Sequence, residues 1–337
     1  MYFLPRGGYF FSLVSKYDDV LADVVKRPGY RAGYTLKLIT PFLKAYGVTN
    51  REVEGYSAKN ILLIRGVREA LQYVKEVMPP FIVSTSYEQY ITSLCTLINF
   101  PYENVYCTKL DLDKYALDEA EAERLRQLER EIAALPMIEI PKDARSVSQF
   151  SERSQETFRR LESIFWEEIP KMAIGRMLEE VKPIGGEEKA KAVRDIARRT
   201  GRRLGELMYV GDSITDVQAF QLVREGGGLT VSFNGNEYAV RNAEVVVLSD
   251  NALVTAVLTS VFSELGRIGV RALVGKWGYP ALEKYCSDET LVHAVSKAYG
   301  EVLPKVELVT KESVDRLVAE SSSFRKTVRG EAIGRLG

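Results

Sequence analysis

The sequence predicts an α/β protein: a three-layer core around a parallel sheet, with further helices before, within and after it. Two observations lead there. Short apolar runs of strand type (Phe81 to Ser84, Asn104 to Thr108, Leu207 to Val210, Leu229 to Phe233, Glu244 to Leu248) recur between helical stretches. Such runs, bounded by helices, are the pattern of strands buried on both faces. One of them ends in Gly211-Asp212, at the strand end where open α/β sheets bind ligands.

Each element has its own signal. Residues 1–60 read as a helical, cap-like region with Tyr and Gly at its turns. Residues 61–112 and 181–262 carry the strands and read as the α/β core. Ser86 and Gln89 are spaced as a capping box, so a helix is expected over about 87–98. A second helix is expected from near Thr215 to Gly226. Residues 113–180 read as a helical insertion. There Asp118 and Glu121 form a capping box, and Leu125, Leu128, Ile132 and Leu135 make one apolar stripe. Pro136 and Pro141 bracket a linker, and Phe158, Leu161 and Phe165 mark one face of a helix over about 152–168. Residues 263–337 read as a helical extension whose last ~15 residues, rich in Arg, Ser and Gly, are expected to be loose.

Composition removes several classes of function. The 337 residues exceed what one core usually holds, so more than one domain is expected. Lys plus Arg and Asp plus Glu are both 46, which argues against a nucleic-acid coat and a polybasic membrane anchor. The uncharged run Gln89 to Tyr102 is shorter than the about 20 apolar residues that a spanning helix needs, so no membrane insertion is expected. Met1 to Gly8 holds Arg6 and no apolar core of signal-peptide length. Cys95, Cys107 and Cys286 have no metal-like spacing and fit reduced thiols in a cytoplasm. His293 is the single histidine, so any metal chemistry must rest on carboxylates, which suit magnesium.

Three places could carry chemistry. In Tyr209-Val210-Gly211-Asp212-Ser213-Ile214-Thr215-Asp216, two carboxylates four apart follow a strand and open a helix. They can hold a metal ion; the structural alternative is helix capping at the positive end of the helix. In Ile82-Val83-Ser84-Thr85-Ser86, hydroxyls at a strand end precede a helix and could bind an anion. In Gly185-Gly186-Glu187-Glu188-Lys189, a lysine stands at a helix start, where a cation is electrostatically misplaced unless it meets an anion.

In this order these residues resemble the haloacid dehalogenase-like (HAD) phosphatase superfamily. The stretches Gly66 to Leu71, Val83 to Tyr87, Asn104 to Tyr106 and Val231 to Asn236 are similar to its phosphoserine-phosphatase branch. The whole chain resembles the archaeal family labelled energy-converting hydrogenase A subunit R. The superfamily resemblance implies a HAD-like Rossmannoid fold, with Ser84 and Lys189 as catalytic residues and Asp212 and Asp216 as ligands of Mg2+. It also implies a small phosphorylated substrate attacked by an aspartate in an Asp-x-Asp pattern; the narrower one implies hydrogenase subunits as partners.

That pattern is missing ahead of the cap. Met1 to Ser15 has no Asp, and Asp18, Asp19 and Asp23 fall on an amphipathic helix. Asp111-Leu112-Asp113 has the spacing but follows the Ser84 motif, so it reads as a loop. The resemblance places the nucleophile strand between the Ser84 strand and the Asp212 strand. Its absence would leave a gap of roughly 9.6 Å with unpaired backbone. Either residues such as Tyr9 to Val14 fill it, or an upstream segment with Asp-x-Asp does; the second is the expectation. The functional expectation is therefore a Mg2+-dependent phosphomonoesterase if the nucleophile is supplied. The alternative is a non-catalytic accessory subunit of an archaeal hydrogenase complex.

Overall fold

A computed structural model describes residues 2–329. The chain is α/β and divides into two compact units, one of residues 2–61 and 83–185, the other of 62–82 and 186–329.

The first unit is mainly helical. Phe10, Leu13, Val14 and Tyr17 of helix Gly7–Asp19 share one core with Leu125, Leu128 and Ile132 of helix Glu119–Ile132. Phe158 and Leu161 of helix Glu152–Ser163, with Phe165 just beyond it, complete that core. The expected stripes are thus its inward faces, and the first sixty residues pack with the insertion. Asp118 caps its helix, its Oδ1 accepting from Glu121 N at 2.8 Å. The two strands here are β1 (Ile82–Tyr87) and β2 (Val105–Thr108), which pair with each other.

Two expectations change in this unit. Residues 9–14 are helical, so they do not fill a strand slot. Their apolar side chains Phe10, Leu13 and Val14 follow helical spacing onto the core. Ser86 is no helix cap: β1 runs on to Tyr87 and helix Glu88–Ile98 starts after it. The Ser86 amide instead donates to Ser84 Oγ at 3.2 Å.

The second unit holds β3 (Met208–Gly211), β4 (Leu229–Phe233), β5 (Val245–Leu248) and β6 (Lys305–Leu308), in that spatial order. β3, β4 and β5 are parallel, and β6 is antiparallel to β5. Alternation along β5 splits its side chains between the two faces. Val245 and Val247 pack against Val254, Val257 and Val261 of helix Leu253–Val274. Val246 and Leu248 pack against Leu317 of helix Val314–Arg329. Covered on both faces, the strands can be apolar throughout.

The tail departs from the expectation in two ways. It is helical as expected, but it also contributes the edge strand β6, and residues 323–329, expected to be loose, continue helix Val314–Arg329. Residues 330–337 lie outside the described ones. Helix Leu253–Val274 crosses residue 263; by length and composition alone it could span a bilayer, but its backbone breaks at Gly266 (φ +62°), and 61% of its most apolar stretch is buried inside the protein. Core packing accounts for that apolarity.

Candidate functional site

The loop after β3 is built around Asp216. A Cβ on Gly211 would lie 2.6 Å from Asp216 Cγ, so glycine is required where the carboxylate folds back on the strand end. Asp216 Oδ2 accepts from Asp212 N at 3.0 Å, from Ser213 N at 3.1 Å and from Ser213 Oγ at 3.3 Å. Asp216 Oδ1 accepts from Lys189 Nζ at 2.7 Å and from the Tyr209 hydroxyl at 2.8 Å. These donors occupy the acceptor positions a carboxylate offers. Asp216 is 2% exposed and Lys189 6%.

This geometry explains the misplaced lysine. Lys189 stands in the first turn of helix Glu187–Thr200, and its ammonium reaches out of that turn to Asp216. Gly186, at φ +55°, turns the chain into the helix, and its amide donates to Thr215 O at 2.9 Å. The helix start and the acidic loop are therefore fastened together by backbone as well as by charge. Burial, and then the neighbouring Asp216 carboxylate, push the Tyr209 phenol well above its ordinary range.

Asp212 faces a different partner. Its Oδ2 lies 2.7 Å from Arg325 Nη1. The same nitrogen donates to Asp212 O at 3.1 Å and to Asn234 O at 3.0 Å. Asn234, at φ +48°, makes the turn after β4 and exchanges hydrogen bonds with Ser249, from Nδ2 to O at 2.7 Å and from Ser249 N to Oδ1 at 3.0 Å. Asn236 N donates to Asp212 O at 2.9 Å. The stretch Val231 to Asn236 thus lies beside the acidic loop.

Lys189, Asp212 and Asp216 are brought together at the carboxyl end of β3. Ser84 belongs to the first unit, where its hydroxyl receives the Ser86 amide. Its neighbour Thr85 donates to Ile184 O at 2.9 Å, and Thr108 donates to Thr85 O at 2.6 Å. Asp111 and Asp113 hold the start of helix Asn50–Asn60: Asn50 Nδ2 donates to Asp111 at 2.8 Å and Asn50 N to Asp113 at 3.3 Å. Asp18 is buried, and its Oδ2 accepts from Gly33 N at 3.0 Å, Thr35 N at 3.1 Å and Thr35 Oγ1 at 2.8 Å. Among the described residues no three His, Cys, Asp or Glu side chains converge as a metal-ligand group. Cys95, Cys107 and Cys286 are buried free thiols.

Arg325 was not marked by any sequence motif. The available signal was spacing: Leu317, Ser321 and Arg325 are four apart and share one helix face. Ser321 Oγ donates to Gly235 O at 2.6 Å, one turn before the guanidinium reaches Asp212.

No family profile and no curated protein matches the chain. A solved structure does match, that of gene product AF1437 from Archaeoglobus fulgidus. It is 31% identical, with a TM-score of 0.77, over 99% of this chain and 90% of that one. The chain belongs to the AF1437 family. Membership of the AF1437 family supports the α/β fold along the chain and carries no chemistry with it. The functional reading therefore rests on the side chains of the β3 loop.

Proposed function

We propose that this chain is a HAD-like protein that does not itself transfer phosphoryl groups, and that acts as an accessory or regulatory subunit. The observation that carries this reading is the state of Asp216. Both its oxygens are engaged by protein donors, and Lys189 is spent on neutralising it. In a HAD-type site that lysine would neutralise a phosphoryl group, and both carboxylates would serve Mg2+. Here a divalent ion would meet an Asp216 whose acceptor positions are occupied and an Asp212 that already faces a guanidinium. The donor set as arranged does not fit Mg2+.

A second point supports the same reading. β3 is an edge strand of its sheet, and among the described residues no strand pairs with its other side. The resemblance puts the nucleophile strand at that side. Hydrogenase subunits are the partners that the resemblance suggests.

The competing reading is a Mg2+-dependent phosphomonoesterase. The clustering of Lys189, Asp212 and Asp216 at one strand end favours it. The 337-residue chain should be assayed with p-nitrophenyl phosphate and a panel of small phosphate monoesters, with and without Mg2+. No turnover above buffer is expected. Mg2+-dependent turnover that disappears in Asp212→Asn would overturn the proposal and establish the hydrolase.

A further inference from the structure

Three oxygens converge on one point beside β3: Asp212 Oδ2, Asp212 O and Asn234 O, at 2.7, 3.1 and 3.0 Å from Arg325 Nη1. A carboxylate and two carbonyls are the ligand types that hard cations select. The distances are those of charged N–H···O bonds and are longer than metal–oxygen bonds. We propose that the Arg325 guanidinium is a built-in cation, standing where a divalent metal would otherwise be held by Asp212. This deepens the non-catalytic reading above and rests on it.

The surrounding structure holds the guanidinium in place. Arg325 is 3% exposed, and a buried positive charge requires an anion beside it. Its helix is fixed to the sheet by Leu317, which is fully buried, and by the Ser321 bond to Gly235 O. Arg241 pairs with Asp315 at 2.8 Å near the start of the same helix. An arginine keeps its charge at every physiological pH. The occupant is therefore permanent and independent of pH and of metal supply, unlike an exchangeable ion.

Mn2+ titration followed by the electron paramagnetic resonance of the free ion tests this without relying on activity. The wild-type chain is expected to leave millimolar Mn2+ free. Arg325→Ala is expected to bind one equivalent, at least about tenfold more tightly than wild type, because it removes a unit positive charge from beside the oxygens. Arg325→Lys should behave as wild type, and adding Asp212→Asn to Arg325→Ala should abolish the new site. A folded Arg325→Ala that binds no Mn2+ overturns the proposal. So does a wild-type chain that binds one Mn2+ and loses it in Asp212→Asn, and this measurement decides even if Arg325→Ala fails to fold. Failure here is separable from failure of the functional reading. Metal binding without turnover removes only the built-in cation, and turnover without metal binding removes only the non-catalytic role.

Discussion

Lys189 Nζ lies 2.7 Å from Asp216 Oδ1, with both side chains almost closed to solvent. Removing one partner leaves a buried charge without its counter-ion, which typically costs about 3–5 kcal/mol. Lys189→Met is therefore expected to lower the unfolding free energy of the second unit by about that amount. The double variant Lys189→Met with Asp216→Leu should lose less than the two single losses added together, because it leaves no lone charge. The chain has two tryptophans, Trp166 and Trp277, one in each unit. Urea unfolding followed by Trp277 emission in a Trp166→Phe background reads this unit alone. Additive losses in the double variant would show that the two charges do not depend on each other.

Glu162 organises the corresponding network of the first unit. Arg27 Nη1 donates to both its oxygens, at 2.9 and 2.8 Å, and the Tyr17 hydroxyl donates to Oε1. Trp166 Nε1 donates to that hydroxyl at 2.8 Å, and the Arg27 guanidinium lies 4.1 Å from the centre of the Trp166 ring. Burial first, then Glu162, push the Tyr17 phenol far up. Wide π-helical turns at Val20–Val24 and Ile164–Glu168 lie next to these residues in both segments. Glu162→Ala should cost about 2–3 kcal/mol, since it leaves charged and buried donors without their acceptor. Trp166 emission, read in Trp277→Phe, should shift in the native state as well as on unfolding. An unchanged native spectrum and an unchanged urea midpoint would show that the network contributes no stability.

The strands of the second unit were legible because the residues that build them are apolar in unbroken runs: Val245, Val246 and Val247 all point into packed layers. β6 was not legible, since Lys305 and Glu307 alternate with apolar neighbours and the strand is short and at an edge. The β3 loop was legible as a place where charge gathers, through the Gly211-Asp212 turn and the misplaced Lys189. What the loop's charges touch was not legible. Asp212 and Arg325 are separated by more than a hundred residues, and the four-residue spacing of Leu317, Ser321 and Arg325 marks a helix face without marking what that face meets. Ser86 misled because a serine before a helix looks the same in sequence whether it caps the helix or extends the strand.

Asp19 makes the first unit sensitive to pH. It is 7% exposed, and burial is the main cause that lifts its carboxyl from 3.8 to about 7. Lys16 Nζ, 3.6 Å away, pulls the other way, while Asp18 and Asp23 add to the rise. Burial raises the Asp18 carboxyl as well. A carboxyl whose folded value lies above its unfolded value binds its proton more tightly in the folded state. Folding is then favoured most at low pH, and stability falls as pH rises from near 4 through about 7. The loss is at most about 4 kcal/mol, at ~1.4 kcal/mol per decade. Urea midpoints read by Trp166 in Trp277→Phe should therefore be lower at pH 8 than at pH 6. Asp19→Asn removes the titrating group, so its midpoint should change less over this interval and exceed that of the parent at pH 8. A parent protein equally stable at both pH values, or more stable at pH 8, would show that Asp19 is ionised in the folded chain at neutral pH and held by Lys16.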